Sequence, residues 1–213
     1  MTRTNPWLER STKNLLALSH ATDFITAQRE WQFEGDVIDH EFPTETCELC
    51  EHKELRYHYK IYNSETENQL WVGSSCILRF QEIYIYDVEG NSITETSERK
   101  KELERVFRKK IENKMLNPLR NLWKDKESYR KEIVSSVDHF KKNRAFLPKQ
   151  LSLLFSWLNE EQIEYQAEIF PIYLRSNESK EQLYSMQKSK LNLIKNSLSE
   201  SQFKKHSILF DPL

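Results

Sequence analysis

The chain has 213 residues, 38% apolar and 12% aromatic, enough to fill a core and unlike a disordered chain. It holds no run of about 18 apolar residues, which argues against a membrane-spanning helix. The opening MTRTNPWLER lacks the apolar stretch of a secretory signal, so a cytoplasmic protein is the expectation. The total charge of −1 hides a split. Residues 1–96 hold 8 Lys+Arg against 17 Asp+Glu, a net of −9, and residues 97–150 hold 17 against 8, a net of +9. Such blocks point to an anionic partner, or to one part of the chain meeting another.

In chain order, residues 10–31 read as one or two short helices. Ser11 or Thr12 is the expected cap of the first, and Thr22 or Asp23 of the second. Gly35 breaks that pattern, and the period changes to two. Leu55, Tyr57, Tyr59 and Ile61 alternate with Arg56, His58, Lys60 and Tyr62, as in a half-buried strand. Asn63–Gln69 is a loop, and Leu70-Trp71-Val72 a returning strand. FQEIYIYDVEGNSITE reads as a further hairpin turning near Gly90. From Ser97 the period is helical, with Leu103, Phe107, Ile111 and Met115 forming one apolar stripe. Pro118 is expected to end or kink that helix. A second stripe runs through Tyr129, Ile133, Val137 and Phe140. LPKQLSLLFSWL begins another helix with Pro148 early in it. EIFPIYLR is a brief extended piece, and two or three short helices follow, the last opened by Ser199. The expected fold class is therefore α+β in three parts. Residues 1–34 are a helical segment, 35–96 a small antiparallel β module, and 97–213 a mainly helical domain.

Three cysteines, Cys47, Cys50 and Cys76, are an odd number with no obvious disulfide framework, which points to metal or free thiols. CELC forms a CxxC knuckle. The hairpin after it returns GSSC beside the knuckle, with Gly73 permitting a turn and Ser74 or Ser75 capping a short helix that carries Cys76. Knuckle, hairpin and helix-borne cysteine make a treble-clef arrangement suited to Zn2+, which takes four sulfur or nitrogen ligands. The position three residues on from Cys76 is Arg79, which cannot bind a metal. His52, two residues past Cys50, is the first choice for the fourth ligand. His40, His58, a carboxylate or water are the alternatives, with His58 expected to face solvent.

CELCEH…LRYHYKIYN…LWVGSSCILRF resembles a module of uncharacterised bacterial, phage and large-virus proteins that combine a CxxC, a strand ending in Asn and a VGSxCI turn. The later LPKQ helix and IYLR strand resemble parts of the longer bacterial members. The resemblance implies a zinc-binding module and no particular activity.

Other chemistry is sparse. Asp36, Asp39, His40 and Glu41 resemble the Asp-His pair of HNH-type nucleases, but the pair precedes the CxxC here instead of following it. Nucleotide-binding glycine loops, nucleophile elbows and HExxH are absent from the sequence, so an enzyme is not the expectation. The basic segment offers Lys101, Arg105 and Arg108 on one helix face, with Lys109 beside them and Arg130 and Lys131 further on. Such faces neutralise phosphates, and Tyr62, Tyr84 and Tyr86 could stack on bases. The expectation is a non-enzymatic zinc protein that binds nucleic acid, DNA or RNA, through this face. The alternative is a protein-interaction modulator of phage or mobile-element type that uses the acidic segment 34–54 as its docking surface.

Overall fold

The computed structural model describes residues 5–210. Within them the fold is α+β, with a three-stranded antiparallel sheet and helices before and after it. The chain divides into two compact units, Met1–Lys110 and Ile111–Leu213.

In the first unit, Asn5 and not Ser11 caps the opening helix α1 (Pro6–Leu16), its side chain accepting from Trp7 N–H. Pro6 sits in the first turn, where its missing N–H costs nothing. Ser11 lies buried in mid-helix, six residues after the observed cap, so the helix starts earlier than expected. Asp23 caps α2 (Phe24–Gln28) by accepting from Thr26 N–H. The sheet runs β1 (Trp31–Asp39), β2 (Tyr57–Asn63), β3 (Gln69–Val72) in that spatial order. Gly35 does not end a segment. It lies inside β1 at φ 78°, where the register slips between Phe33 and Val37. A glycine in the left-handed region is what a β-bulge accommodates. The expected boundary at 34/35 thus falls inside a strand.

His58 does not face solvent. It is 6% exposed, against His40 and Trp71, because this face of β2 is also covered. The short helix α3 (Ser74–Arg79) follows β3 at once. After it Tyr84 bridges Gln32 in parallel, and Tyr86 bridges Ser92 across the turn at Gly90. Helix α4 (Thr96–Asp125) begins in this unit and brings Leu103 into the same core as Trp31, Ile61, Ile77, Ile83 and Ile85.

In the second unit, Pro118 lies within α4, which continues past it to Asp125. A mid-helix proline costs about 3 kcal/mol. Met115, Leu116, Leu119 and Leu122 around it are all buried, and each contributes about 1.5–3 kcal/mol by burial, so packing outweighs the break. Helices α5 (Arg130–Asn143) and α6 (Pro148–Glu160) pack with α7 (Asn177–Tyr184) and α8 (Lys188–Ile194) around Phe146, Phe155 and Phe170. The IYLR piece supplies one parallel bridge, Phe146 to Ile172. Helix α9 (Glu200–Lys205) opens at Ser199 with a reciprocal cap. Gln202 N–H donates to Ser199 Oγ, and Ser199 N–H donates to Gln202 Oε1.

The division at 96/97 follows the change of period. The compact units instead part between Lys110 and Ile111, because the first turns of α4 are built into the core of the sheet unit. No helix among the described residues is long and apolar enough to cross a membrane.

Candidate metal centre

The knuckle is a tight turn closed by backbone hydrogen bonds. Cys47 N–H donates to His52 O at 2.8 Å, and Glu51 N–H to Cys47 O at 2.8 Å. Glu51 sits at φ 61°, a left-handed conformation that costs a non-glycine residue energy. Helix α1 holds the turn from outside. Arg10 Nε donates to Cys50 O and Asn14 Nδ2 to Leu49 O, each at 3.0 Å. The opening helix is therefore part of the site's scaffold and not a separate N-terminal segment.

The other arm is the β2–β3 hairpin and α3. Gly73 is the N-cap, and Ser74 and Ser75 are the first helical residues, so the expected serine cap is displaced by one or two positions. Gly73 has an ordinary extended backbone at φ −73°, so conformational freedom is not what it supplies. A Cβ there would lie 3.2 Å from Leu55 Cδ1. The glycine is needed for close approach. Cys76 falls in the first turn of α3, and its N–H donates to Gly73 O at 3.0 Å.

These arms bring Cys47, Cys50 and Cys76 together. All three are buried, and their sulfurs lie within 4.8 Å of one another. Cys47 Sγ is 3.6 Å from Cys76 Sγ and accepts from Gly73 N–H at 3.4 Å. The Cys47 thiol is drawn down to about 5 by the Cys76 thiol donating to it. The N–H groups of Cys50, Gly73 and Leu49 add to this, and burial opposes it. Cys76 is pushed up, first by that same hydrogen bond and then by burial. The arrangement thus already favours one thiolate, the form that binds metal. Three sulfur donors in a buried cluster suit a soft or borderline metal ion.

His52 is not in the cluster. It is exposed, and only its carbonyl takes part in the knuckle. It does line the same cavity of about 360 Å³ as the three cysteines, together with Trp7 and Arg79. Arg79 stacks over Trp7 at 4.3 Å, and Trp7 stacks on Phe80 at 4.8 Å. The position that cannot ligate is therefore used to clamp α3 to α1. His40 and His58 contact each other and do not join the cysteines.

One residue that organises the site is easily missed. Arg99 is 1% exposed. Its guanidinium donates to Ile77 O at 2.7 Å, Ile83 O at 2.9 Å and Phe80 O at 3.2 Å. The last carbonyls of a helix lack intrahelical partners, and Arg99 satisfies that of Ile77 in α3 and that of its C-cap, Phe80. Its position, four residues before Leu103, extends the apolar stripe of α4 by one turn. That periodicity was the available signal.

The basic residues singled out in the sequence are divided between the two units. In the first unit Lys101 pairs with Glu98 at 2.7 Å, Arg105 with Glu102, and Arg108 with Glu104 at 4.0 Å. All three basic residues are exposed, as is Lys109. In the second unit Arg130 lies over Trp123 at 4.7 Å and donates to Trp123 O at 2.9 Å near the end of α4. Lys131 is exposed. Tyr84 and Tyr86 stack on each other and are partly exposed, while Tyr62 is half-buried. Asp39 is held by Arg56 through both oxygens, at 2.8 and 3.0 Å, and Asp36 faces Lys110 at 3.2 Å.

Comparison of the chain with protein-family models, with curated proteins and with solved structures returned no significant match in any of the three. The resemblance to phage and bacterial zinc modules therefore rests on the motif residues alone.

Proposed function

We propose that this chain is a non-enzymatic zinc protein, with Zn2+ held by Cys47, Cys50 and Cys76 as a structural pin. The observation that carries this reading is the convergence of three buried sulfurs from two separate arms of the first unit. Zinc is favoured among soft-binding metals because a knuckle paired with a helix-borne cysteine is a common structural zinc framework. The fourth ligand comes from the cavity side, which His52 lines, with water as the alternative. Zinc should bind at about one tightly held equivalent per chain, and Cys76→Ser should lose it. Elemental analysis of protein purified without chelator tests this, and protein free of zinc would overturn it.

The ligand of the module is, in this proposal, nucleic acid met by Lys101, Arg105, Arg108 and Lys109. Their exposure supports it. The ion pairs of Lys101, Arg105 and Arg108 with glutamates of the same helix are worth about 0–1 kcal/mol each at the surface, and phosphates can displace them. Mobility shift at about 50 mM salt with single- and double-stranded DNA and RNA is the test. Binding abolished by charge reversal of Lys101, Arg105 and Arg108 supports it. A second reading, a protein-interaction module, is favoured by the same ion pairs, since each of these three cations already has an acidic neighbour on its own helix. Phe42 and Val88, 68% and 75% exposed, would then be contact residues. That reading takes over if no nucleic acid is shifted.

A further inference from the structure

We propose that His40 and His58 form a second metal site, separate from the three cysteines, that takes a divalent transition-metal ion of the zinc or nickel class through imidazole nitrogen. The backbone places the two rings together. Ile38 pairs with His58 across β1 and β2, and His40 N–H donates to Arg56 O at 3.0 Å, carrying the pairing one step beyond the end of β1. The ring centroids are 5.0 Å apart and the planes are nearly perpendicular.

Nε2 of His40 and Nε2 of His58 are both buried, and neither has a hydrogen-bond partner. A buried polar atom left unsatisfied costs about 1–3 kcal/mol, and such atoms call for an explanation. Here two occur on touching rings. An ion shared between them satisfies both at once. The other nitrogen of His40 supports the same assignment. Its Nδ1 faces Glu45 Oε1 at 3.9 Å. A carboxylate on that side is the kind of outer partner that metal-bound histidines commonly have. Trp71 flanks His58 at 6.5 Å with its ring inclined by 29° and shields one side of the pair. Imidazole donors suit zinc, nickel and copper. With two protein nitrogens, and no third His, Cys, Asp or Glu donor grouped with them among the described residues, this site binds more weakly than three thiolates. The proposal does not rest on the identity of the ion at the cysteines.

The test uses full-length protein without a polyhistidine tag, first loaded with one equivalent of zinc and then titrated with Ni2+ by calorimetry. Wild type should take up one further equivalent. His40→Phe and His58→Phe keep a ring in place and remove the nitrogens, and each should abolish that uptake while the zinc is retained. Glu45→Gln, a change at a partly exposed carboxylate, should weaken nickel binding about tenfold. It serves as the second variant should a histidine change disturb folding, which circular dichroism reads directly. The proposal is overturned if wild type takes up no nickel, or if uptake is the same in all three variants. It is equally overturned if the histidine variants fold but lose the zinc, for the imidazoles would then belong to the cysteine site.

Discussion

The two units bury comparable apolar cores but hold them in different ways. The second unit is helical, and its centre is Phe146, Phe155 and Phe170 against leucines of α6 and α8. The hydroxyls of two of its buried serines donate to a carbonyl three residues back, Ser152 to Lys149 and Ser179 to Ser176, while a third, Ser197, reaches Ala167 O at 2.7 Å. The first unit is tied by polar groups that join distant segments. Arg99 reaches Ile77, Phe80 and Ile83. Asn63 Nδ2 donates to Glu30 at 2.8 Å, while its Oδ1 accepts from Glu65 N–H at 2.9 Å. The three cysteines sit in that core as well. A contact that spans a long loop must offset the entropy of closing it, and a metal ion contributes free energy to a site that does not exist in the unfolded chain. With a metal bound as proposed, the first unit would depend on a few long-range ties and the second on distributed packing.

Breaking the pin at the cysteines should have the largest effect. Cys76→Ser, or chelation of wild type, should remove several kcal/mol from the first unit. Thermal unfolding followed by circular dichroism should split into two transitions, with the higher one, from the second unit, unchanged. A single transition shifted as a whole would mean that the two units are not independent in stability.

Next comes Arg99→Met, which keeps the apolar stem but leaves the carbonyls of Ile77, Phe80 and Ile83 without their donor. Hydrogen bonds to a charged group contribute about 1.5–3 kcal/mol each, and relief of the desolvation of the buried guanidinium offsets part of the three, so a loss of about 3–5 kcal/mol from the first unit is expected by urea denaturation. Zinc affinity should fall with it, because α3 carries Cys76. The matching change in the other core, Phe155→Ala, should cost about 3–5 kcal/mol in the second unit, with zinc content unaltered. This pair sharpens the comparison, since equal losses of stability should have unequal effects on metal.

Smaller again is Gly73→Ala. The added methyl must push Leu55, which lies 3.2 Å away. Overpacking of this kind costs about 1–3 kcal/mol, and Leu55→Ala in the same chain should restore the tolerance. The smallest is Ser199→Ala, which removes the cap of α9 and should cost about 1 kcal/mol in the second unit alone.

Much of this was legible in the sequence. The α+β class, the three cysteines as a cluster, the hairpin between the two arms and the capping role of Ser199 all follow from period and spacing. What escaped has a physical reason in each case. Gly35 looks like a terminator, yet a bulge uses the same left-handed backbone that a break does. Pro118 looks like a stop, and only the burial of Met115, Leu119 and Leu122 on either side allows the helix to pass. Arg99 drew no reading of its own because arginine is seldom fully buried, although its place on the Leu103 stripe marks it as inward. His58 was assigned to solvent by strict alternation, a rule that fails when both faces of a strand are covered. The fourth ligand stayed open because the offset of His52 from Cys50 fixes its place along the chain but not the direction of its ring.

Amide hydrogen exchange of the zinc-loaded protein before and after chelation tests the central claim most directly, because it reads the metal and the contrast between units together. The expected result is loss of protection across β1, β2, β3 and α3, with α6 and α8 unchanged. Protection that survives chelation throughout the first unit would contradict the account, since the cysteines would then be ordinary core residues and the pin would be dispensable.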